Sequence, residues 1–312
     1  MMDKKDELGE HYRLGEELYR ALTKHANIQF IVCPASLGDT VNIGAFVGTY
    51  KRVHNKEKVI LVVKEHQVSL GRCFTAVDDI ISLSEGELIC LRLYITLAGM
   101  QKEKNVLYGY FPAKEGGLWE TANSKNTCFV DEYKSMILDI PPDSAIDEVR
   151  IQDTDDYERF TGSILLIPFC LTYEQKFSDN FWQNLVDYYR RNGVKEIYTN
   201  IGNPGDYALE GTQSLSLSVS ELLSYSSQFE KIIGVRGGIF DVLALRDDVR
   251  LDVITPYITS RFWGKCEIDT IRHPLYYGLK NLNPNAKVRE YSFSEGCESA
   301  LLKEITDPGA KY

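Results

Sequence analysis

Arg236, Gly237 and Gly238 stand where a short apolar run, Ile232-Ile233-Gly234-Val235, gives way to helical apolar spacing through Ile239, Phe240, Val242 and Leu243. A glycine pair lets the backbone turn sharply and approach a ligand closely. The first amides of a helix have no intrahelical partner and carry a partial positive charge. A guanidinium can grip an anion with two parallel N–H bonds. These properties suit the phosphates of a nucleotide-linked substrate. Asp241, expected in the first helical turn, would compete with phosphate unless it faces a ribose hydroxyl or the arginine itself. The alternative is a tight turn with a surface arginine.

Asp39 is the candidate base. It lies in Ser36-Leu37-Gly38-Asp39-Thr40, where the first apolar strand meets its helix. Open α/β sheets bind ligands beyond the carboxyl ends of their strands. A carboxylate there can take the proton of a hydroxyl nucleophile within hydrogen-bond reach, with Gly38 and Thr40 beside it on the acceptor side. The competing role for Asp39 or Thr40 is helix capping. His66, after a later strand, is a secondary candidate for acceptor contact, with a surface histidine as the alternative. Thr172 and Lys176 follow the first strand of the second half, where a hydroxyl and an ammonium would complete a diphosphate clamp. A solvated lysine before a helix is the alternative there. Asn200, at the end of the next strand, could contact a base or sugar.

The elements that must carry these residues alternate between strand and helix. The pattern predicts helix over 4–25, strand over 28–33, helix over 41–52, strand over 58–63, a short helix over 66–74, strand over 80–83, helix over 85–97 and strand over 106–111. A long polar loop is expected through residue 127. A proline- and acid-rich stretch, 140–162, marks the domain boundary, which divides the chain into 1–155 and 156–312. Beyond it the pattern repeats, with strands at 164–168, 196–199, 231–235 and 251–254. Helices are expected from Ser178, a candidate N-cap, to Asn192-Gly193, then over 218–226 and 294–305. Alternation of this kind argues for parallel sheets with helices on both faces.

A chain of 312 residues fits two domains of about 150 each. Its net charge of −10 argues against nucleic acid as a partner. No apolar run is long enough to span a membrane, and residues 1–10 lack the apolar core of a signal peptide. The seven cysteines are scattered with no C-x-x-C pair, which suggests reduced thiols in a cytoplasmic protein and no metal or disulfide framework. There is no G-x-x-x-x-G-K-[ST] loop, G-x-S-x-G elbow, H-E-x-x-H motif or full G-x-G-x-x-G fingerprint. Asp153-Thr154-Asp155 has the spacing of a metal–nucleotide clamp but sits in the acidic linker, where a solvated loop is favoured. Aromatic and basic residues from Arg261 to Tyr277 show no clear amphipathic face, so packing is the safer role.

The order of these features resembles the ADP-heptose:lipopolysaccharide heptosyltransferase family. Ser36-Leu37-Gly38-Asp39-Thr40 looks like its Gly-Asp loop. Ile167-Pro168, Lys176, Phe181-Trp182, Ser220-Glu221-Leu222-Leu223, Ile233-Gly234-Val235-Arg236-Gly237-Gly238 and Val253-Ile254-Thr255-Pro256 follow in the family's order. The likeness runs from about residue 28 to 260 through short, degenerate motifs. It implies the GT-B fold: α/β, two Rossmann-like parallel-sheet domains facing across a cleft. The N-terminal domain would take the acceptor and the C-terminal one the nucleotide-sugar, and the last helix could pack back on the N-terminal domain. It also implies Asp39 as base, Lys176 on phosphate, and Gly237 with Gly238 receiving the diphosphate. Val235, Arg236, Gly237 and Asp241 depart from the family's turn. An arginine there is more similar to fucosyltransferase-like GT-B enzymes, so ADP-heptose is not assumed as donor.

The function expected is a metal-independent glycosyltransferase of bacterial polysaccharide or lipopolysaccharide assembly. Its partners would be a nucleoside-diphosphate sugar as co-substrate and a glycan or glycolipid acceptor, with no cofactor and at most peripheral membrane association. Two other classes remain open: a noncatalytic nucleotide-sugar-binding protein on the same scaffold, and a GT-B-type epimerase.

Overall fold

The computed structural model describes residues 4–25, 27–34, 36–99, 102, 103, 105–109, 128–152, 156, 158–170, 177–256, 278–293, 296–307 and 309. The chain forms two compact units, Met1–Leu118 with Val130–Arg150, and Trp119–Phe129 with Ile151–Tyr312.

The first unit is built on a sheet of β1 (Ile28–Val32), β2 (Lys58–Lys64), β3 (Asp79–Leu83), β4 (Lys102–Glu103) and β5 (Val106–Tyr108) in the order β3-β2-β1-β5-β4. All pairings are parallel except β4 with β5. Side chains alternate across a strand. Phe30, Val32, Ile60 and Val62 therefore join Leu88, Leu91, Tyr94 and Ile95 of α5 (Glu85–Ala98) and Tyr19 and Leu22 of α1 (Lys4–Thr23) in one core. The two helices approach so closely that a Cβ on Gly15 would lie 2.1 Å from the Cys90 carbonyl oxygen. Ser84 caps α5 with Glu87 in a capping box.

The single helix expected over 41–52 is two helices, α2 (Leu37–Gly44) and α3 (Val47–His54). The break at Ala45-Phe46 is stabilised from afar. The Asp147 carboxylate accepts the N–H groups of Gly48 and Thr49 at 2.6 and 3.2 Å, occupying the donors that a new helix start exposes. The short helix expected over 66–74 is a 3-10 turn, Glu65–Gln67, followed by α4 (Val68–Gly71).

The second unit has six strands, β6 (Ile164–Ile167), β7 (Ile197–Asn200), β8 (Gln213–Leu215), β9 (Lys231–Val235), β10 (Arg250–Pro256) and β11 (Lys287–Phe293). Their order is β11-β10-β9-β6-β7-β8 and every pairing is parallel. From β6 the chain winds outward to β7 and β8, then returns to β9 on the other side, which is the Rossmann order. Alternation again divides the core. Leu165 and Ile167 of β6 face a cluster with Leu222, Phe240 and Leu251, while Ile164 and Leu166 face Phe181, Trp182, Leu185, Val186 and Tyr189. Those five residues are the buried stripe of α7 (Asp179–Arg191), whose N-cap Ser178 accepts the Phe181 N–H at 3.1 Å. The last helix, Glu298–Ile305, lies against α7. Its Glu298 accepts the Ser178 N–H at 2.7 Å.

The GT-B fold class expected from sequence is present in these two parallel-sheet α/β units. No described helix is long and apolar enough to cross a membrane.

Candidate functional site

In the first unit the strand order reverses at β1, between β2 and β5. The crevice beyond the carboxyl ends of β1 and β5 is where an open sheet of this kind takes ligands. Gly109, just after β5, donates its N–H to the Val32 carbonyl at 2.8 Å. A Cβ there would lie 2.9 Å from the Val32 carbonyl oxygen and 2.3 Å from Ile43 Cδ1 of α2, so glycine is what lets the end of β5 close on β1 and α2. Cys33, at the end of β1, is fully buried. Burial pushes its thiol far above the usual range, and the charge of Asp39 adds to the effect.

Asp39 sits in the first turn of α2, whose N-cap is Ser36. Its Oδ2 accepts the Ser36 N–H at 2.7 Å and the Ser36 Oγ–H at 2.6 Å. Its Oδ1 accepts the hydroxyl of Tyr133. Helix closure, weighed above as the competing role of Asp39, thus takes one carboxylate oxygen. Thr40 is buried and does not cap; its hydroxyl donates to the Ser36 carbonyl at 3.3 Å and to Gln67 Oε1 at 3.2 Å. Gly38 is buried, and its carbonyl accepts the Asn42 side-chain amide at 2.8 Å. His66 is exposed on the turn after β2, whereas its neighbour Gln67 is 1% exposed and reaches Thr40. Sequence reasoning missed both Gln67 and Tyr133. Gln67 was legible as the polar residue beside His66 after an apolar strand, but nothing local points to Tyr133.

In the second unit the order reverses at β6, so the switch point lies between β6 and β9. Gly234 of β9 pairs in register with Ile167, and a Cβ on it would lie 2.2 Å from the Ile167 carbonyl oxygen. Gly237 then ends the turn as N-cap of α9 (Gly238–Leu243), and a Cβ on it would meet Cys170 Sγ at 2.9 Å. The glycine turn therefore crosses the end of β6 at the switch point. Gly238 opens the helix, and Phe240 N–H closes the first turn on the Gly237 carbonyl at 2.9 Å.

Arg236 is turned into this structure. Its Nη1 donates to Asp241 Oδ2 at 2.8 Å and to the Gly237 carbonyl at 2.8 Å, and its Nη2 donates to Asp241 Oδ1 at 2.7 Å. Arg236 and Asp241 are 7% and 6% exposed. The surface arginine named as the alternative is therefore not what the fold builds, and a diphosphate at Arg236 would compete with the Asp241 carboxylate. Glu290 of β11 accepts the Leu279 N–H at 3.1 and 3.2 Å. Burial holds its carboxyl above the usual carboxylate range, with Arg236 opposing and Asp241 reinforcing that rise. Asn200 ends β7, and its Oδ1 is buried with no hydrogen-bond partner among the described residues. A buried carbonyl oxygen of this kind suits a donor on a ligand. Thr172 and Lys176 lie outside the described residues, as do Asp153-Thr154-Asp155 and the stretch from Arg261 to Tyr277.

No protein-family model matches this chain, and no match is found among curated proteins. Solved structures do match. The glycosyl transferase family 9 protein of Veillonella parvula superposes with a TM-score of 0.58 at 11% identity, over 91% of this chain and 90% of that one. The ADP-heptose lps heptosyltransferase II of E. coli gives 0.58 at 10% identity, over 89% and 97%. E. coli heptosyltransferase WaaC, solved with ADP, gives 0.56 at 13% identity, over 89% and 98%. At such identities the likeness shows a shared fold.

Proposed function

We propose that this chain is a glycosyltransferase that moves a sugar from a nucleoside-diphosphate sugar to a hydroxyl of a glycan or glycolipid, in polysaccharide or lipopolysaccharide assembly. One observation carries this reading: a six-stranded sheet in Rossmann order with the Gly237-Gly238 turn laid across its switch point. Fold alone does not fix function, but the shared fold extends over about nine-tenths of both chains. Two of those structures are named heptosyltransferases.

In this reading the second unit holds the donor. Gly237 and Gly238 admit the diphosphate to the first amides of α9, Asn200 contacts the base or sugar, and Thr172 and Lys176 serve the phosphates. Arg236 holds the turn through Asp241. The first unit holds the acceptor beside Gly38, Thr40 and His66, with Asp39 as the base. As the acceptor oxygen bonds to the anomeric carbon, its proton passes to Asp39. The bond from that carbon to the diphosphate breaks with its electron pair on the leaving group. Oriented N–H groups and the lysine offset the growing negative charge, and no metal or cofactor is required for that balance.

Thermal unfolding with a panel of ADP-, GDP- and UDP-sugars tests donor binding. A ligand at 100 times its dissociation constant stabilises the folded protein by about 2.7 kcal/mol. At least one nucleoside-diphosphate sugar is expected to give such a shift, and no shift with any would overturn the proposal.

A further inference from the structure

Helix closure accounts for half of what holds Asp39. Ser36 occupies Oδ2 with two donors, the local pattern of a helix start. Oδ1 is held differently, by the phenol of Tyr133, 94 positions along the chain. Tyr133 is 1% exposed and opens a π-helical segment, Tyr133–Ile137, closed by the Leu138 N–H on the Tyr133 carbonyl at 2.9 Å. Single π turns within helices are frequent at functional sites. A helix start does not require this second, buried donor.

We propose that Tyr133 is the positioning residue of the Asp39 base; the inference rests on the transferase reading above. A carboxylate offers about four lone pairs. Ser36 takes both on Oδ2 and Tyr133 takes one on Oδ1, which, among the described residues, leaves a single acceptor direction. The acceptor hydroxyl delivers its proton along that direction to Oδ1. Its oxygen then bonds to the anomeric carbon, and the diphosphate departs with the electron pair of the broken bond. Tyr133 does not touch the substrate. It prevents the carboxylate from rotating, so the base meets the hydroxyl in one orientation, and orientation of this kind strongly affects rate.

The test compares Tyr133→Phe, Asp39→Asn and the double variant with wild type. Nucleoside diphosphate release is followed from ADP-, GDP- and UDP-sugars, with lipopolysaccharide core oligosaccharides and other glycans as acceptors. Phenylalanine fills the same buried space, and unchanged near-ultraviolet circular dichroism verifies the fold. Tyr133→Phe is expected to lower kcat ten- to hundredfold with donor KM changed less than about twofold. The double variant is expected to be no slower than Asp39→Asn, because the proposed effect of Tyr133 on kcat runs through that carboxylate. A Tyr133→Phe enzyme with wild-type kcat, beside an inert Asp39→Asn, overturns the role of Tyr133 and leaves the transferase reading standing. An active Asp39→Asn overturns Asp39 as the base and the inference with it, and no release by wild type from any donor overturns the transferase reading itself.

Discussion

Arg236 and Asp241, five positions apart, face each other as a buried bidentate ion pair, with N–O distances of 2.8 and 2.7 Å. The pair staples the glycine turn to the first turn of α9 and offsets the charge of both groups. Removing one partner of a buried pair leaves the other uncompensated, at a cost of about 3–5 kcal/mol, whereas replacing both with apolar residues is often neutral. Asp241→Leu is therefore expected to lower the urea midpoint sharply. The double variant Arg236→Met/Asp241→Leu should recover most of the loss. Equal losses in the single and double variants would show that the pair does not hold the turn.

The two glycines on either side of Val235-Arg236 differ in what they face. A Cβ on Gly234 would strike the Ile167 backbone at 2.2 Å, and one on Gly237 would meet the Cys170 sulfur at 2.9 Å, with its next contact at 3.9 Å. Backbone cannot yield as a side chain can. Gly234→Ala is expected to cost about 1–3 kcal/mol in equilibrium unfolding, the range for overpacking. Gly237→Ala should cost less, and adding Cys170→Ala should relieve it. Donor titration should show Gly237→Ala weakened even when its stability is restored.

Glu290 gives stability a pH dependence of definite sign. Burial raises its folded carboxyl above the usual range. From the ordinary glutamate range up to that raised value, the folded state binds more protons than the unfolded one. Stability therefore falls as pH rises through this window and levels off above it. Glu290→Gln is expected to remove this fall when urea midpoints are compared across pH. Parallel profiles for wild type and variant would contradict the assignment.

The strands that are mostly apolar were legible from sequence, and Lys231–Val235 matched residue for residue. Three strands were not, and the first of them, Lys102–Glu103, is only two charged residues long. Gln213–Leu215 is a three-residue edge strand with two exposed polar residues, so it has no apolar signature. Lys287–Phe293, the opposite edge strand, buries Arg289, whose guanidinium donates to the Asp252 carboxylate at 2.7 and 2.6 Å. A charged residue reads as solvated until its partner, 37 positions away, is known. The site divides in the same way. Ser36 and Asp39 are three apart and recognisable as a helix start, and Arg236 with Asp241 lies within one turn sequence. Tyr133 reaches Asp39 only through the tertiary fold. Asp147 splits α2 from α3 by capping the second helix across 99 positions.

Glycosyl transfer with Asp39 as base is tested most directly by Asp39→Ala, measured twice with the same nucleoside-diphosphate sugar. Nucleoside diphosphate release in the presence of acceptor should fall by at least two orders of magnitude, within the contribution of general base catalysis. Donor affinity by calorimetric titration should stay within about twofold, because Asp39 and the Gly237-Gly238 turn belong to different units and only their separate roles are removed one at a time. Undiminished release by Asp39→Ala would contradict the claim.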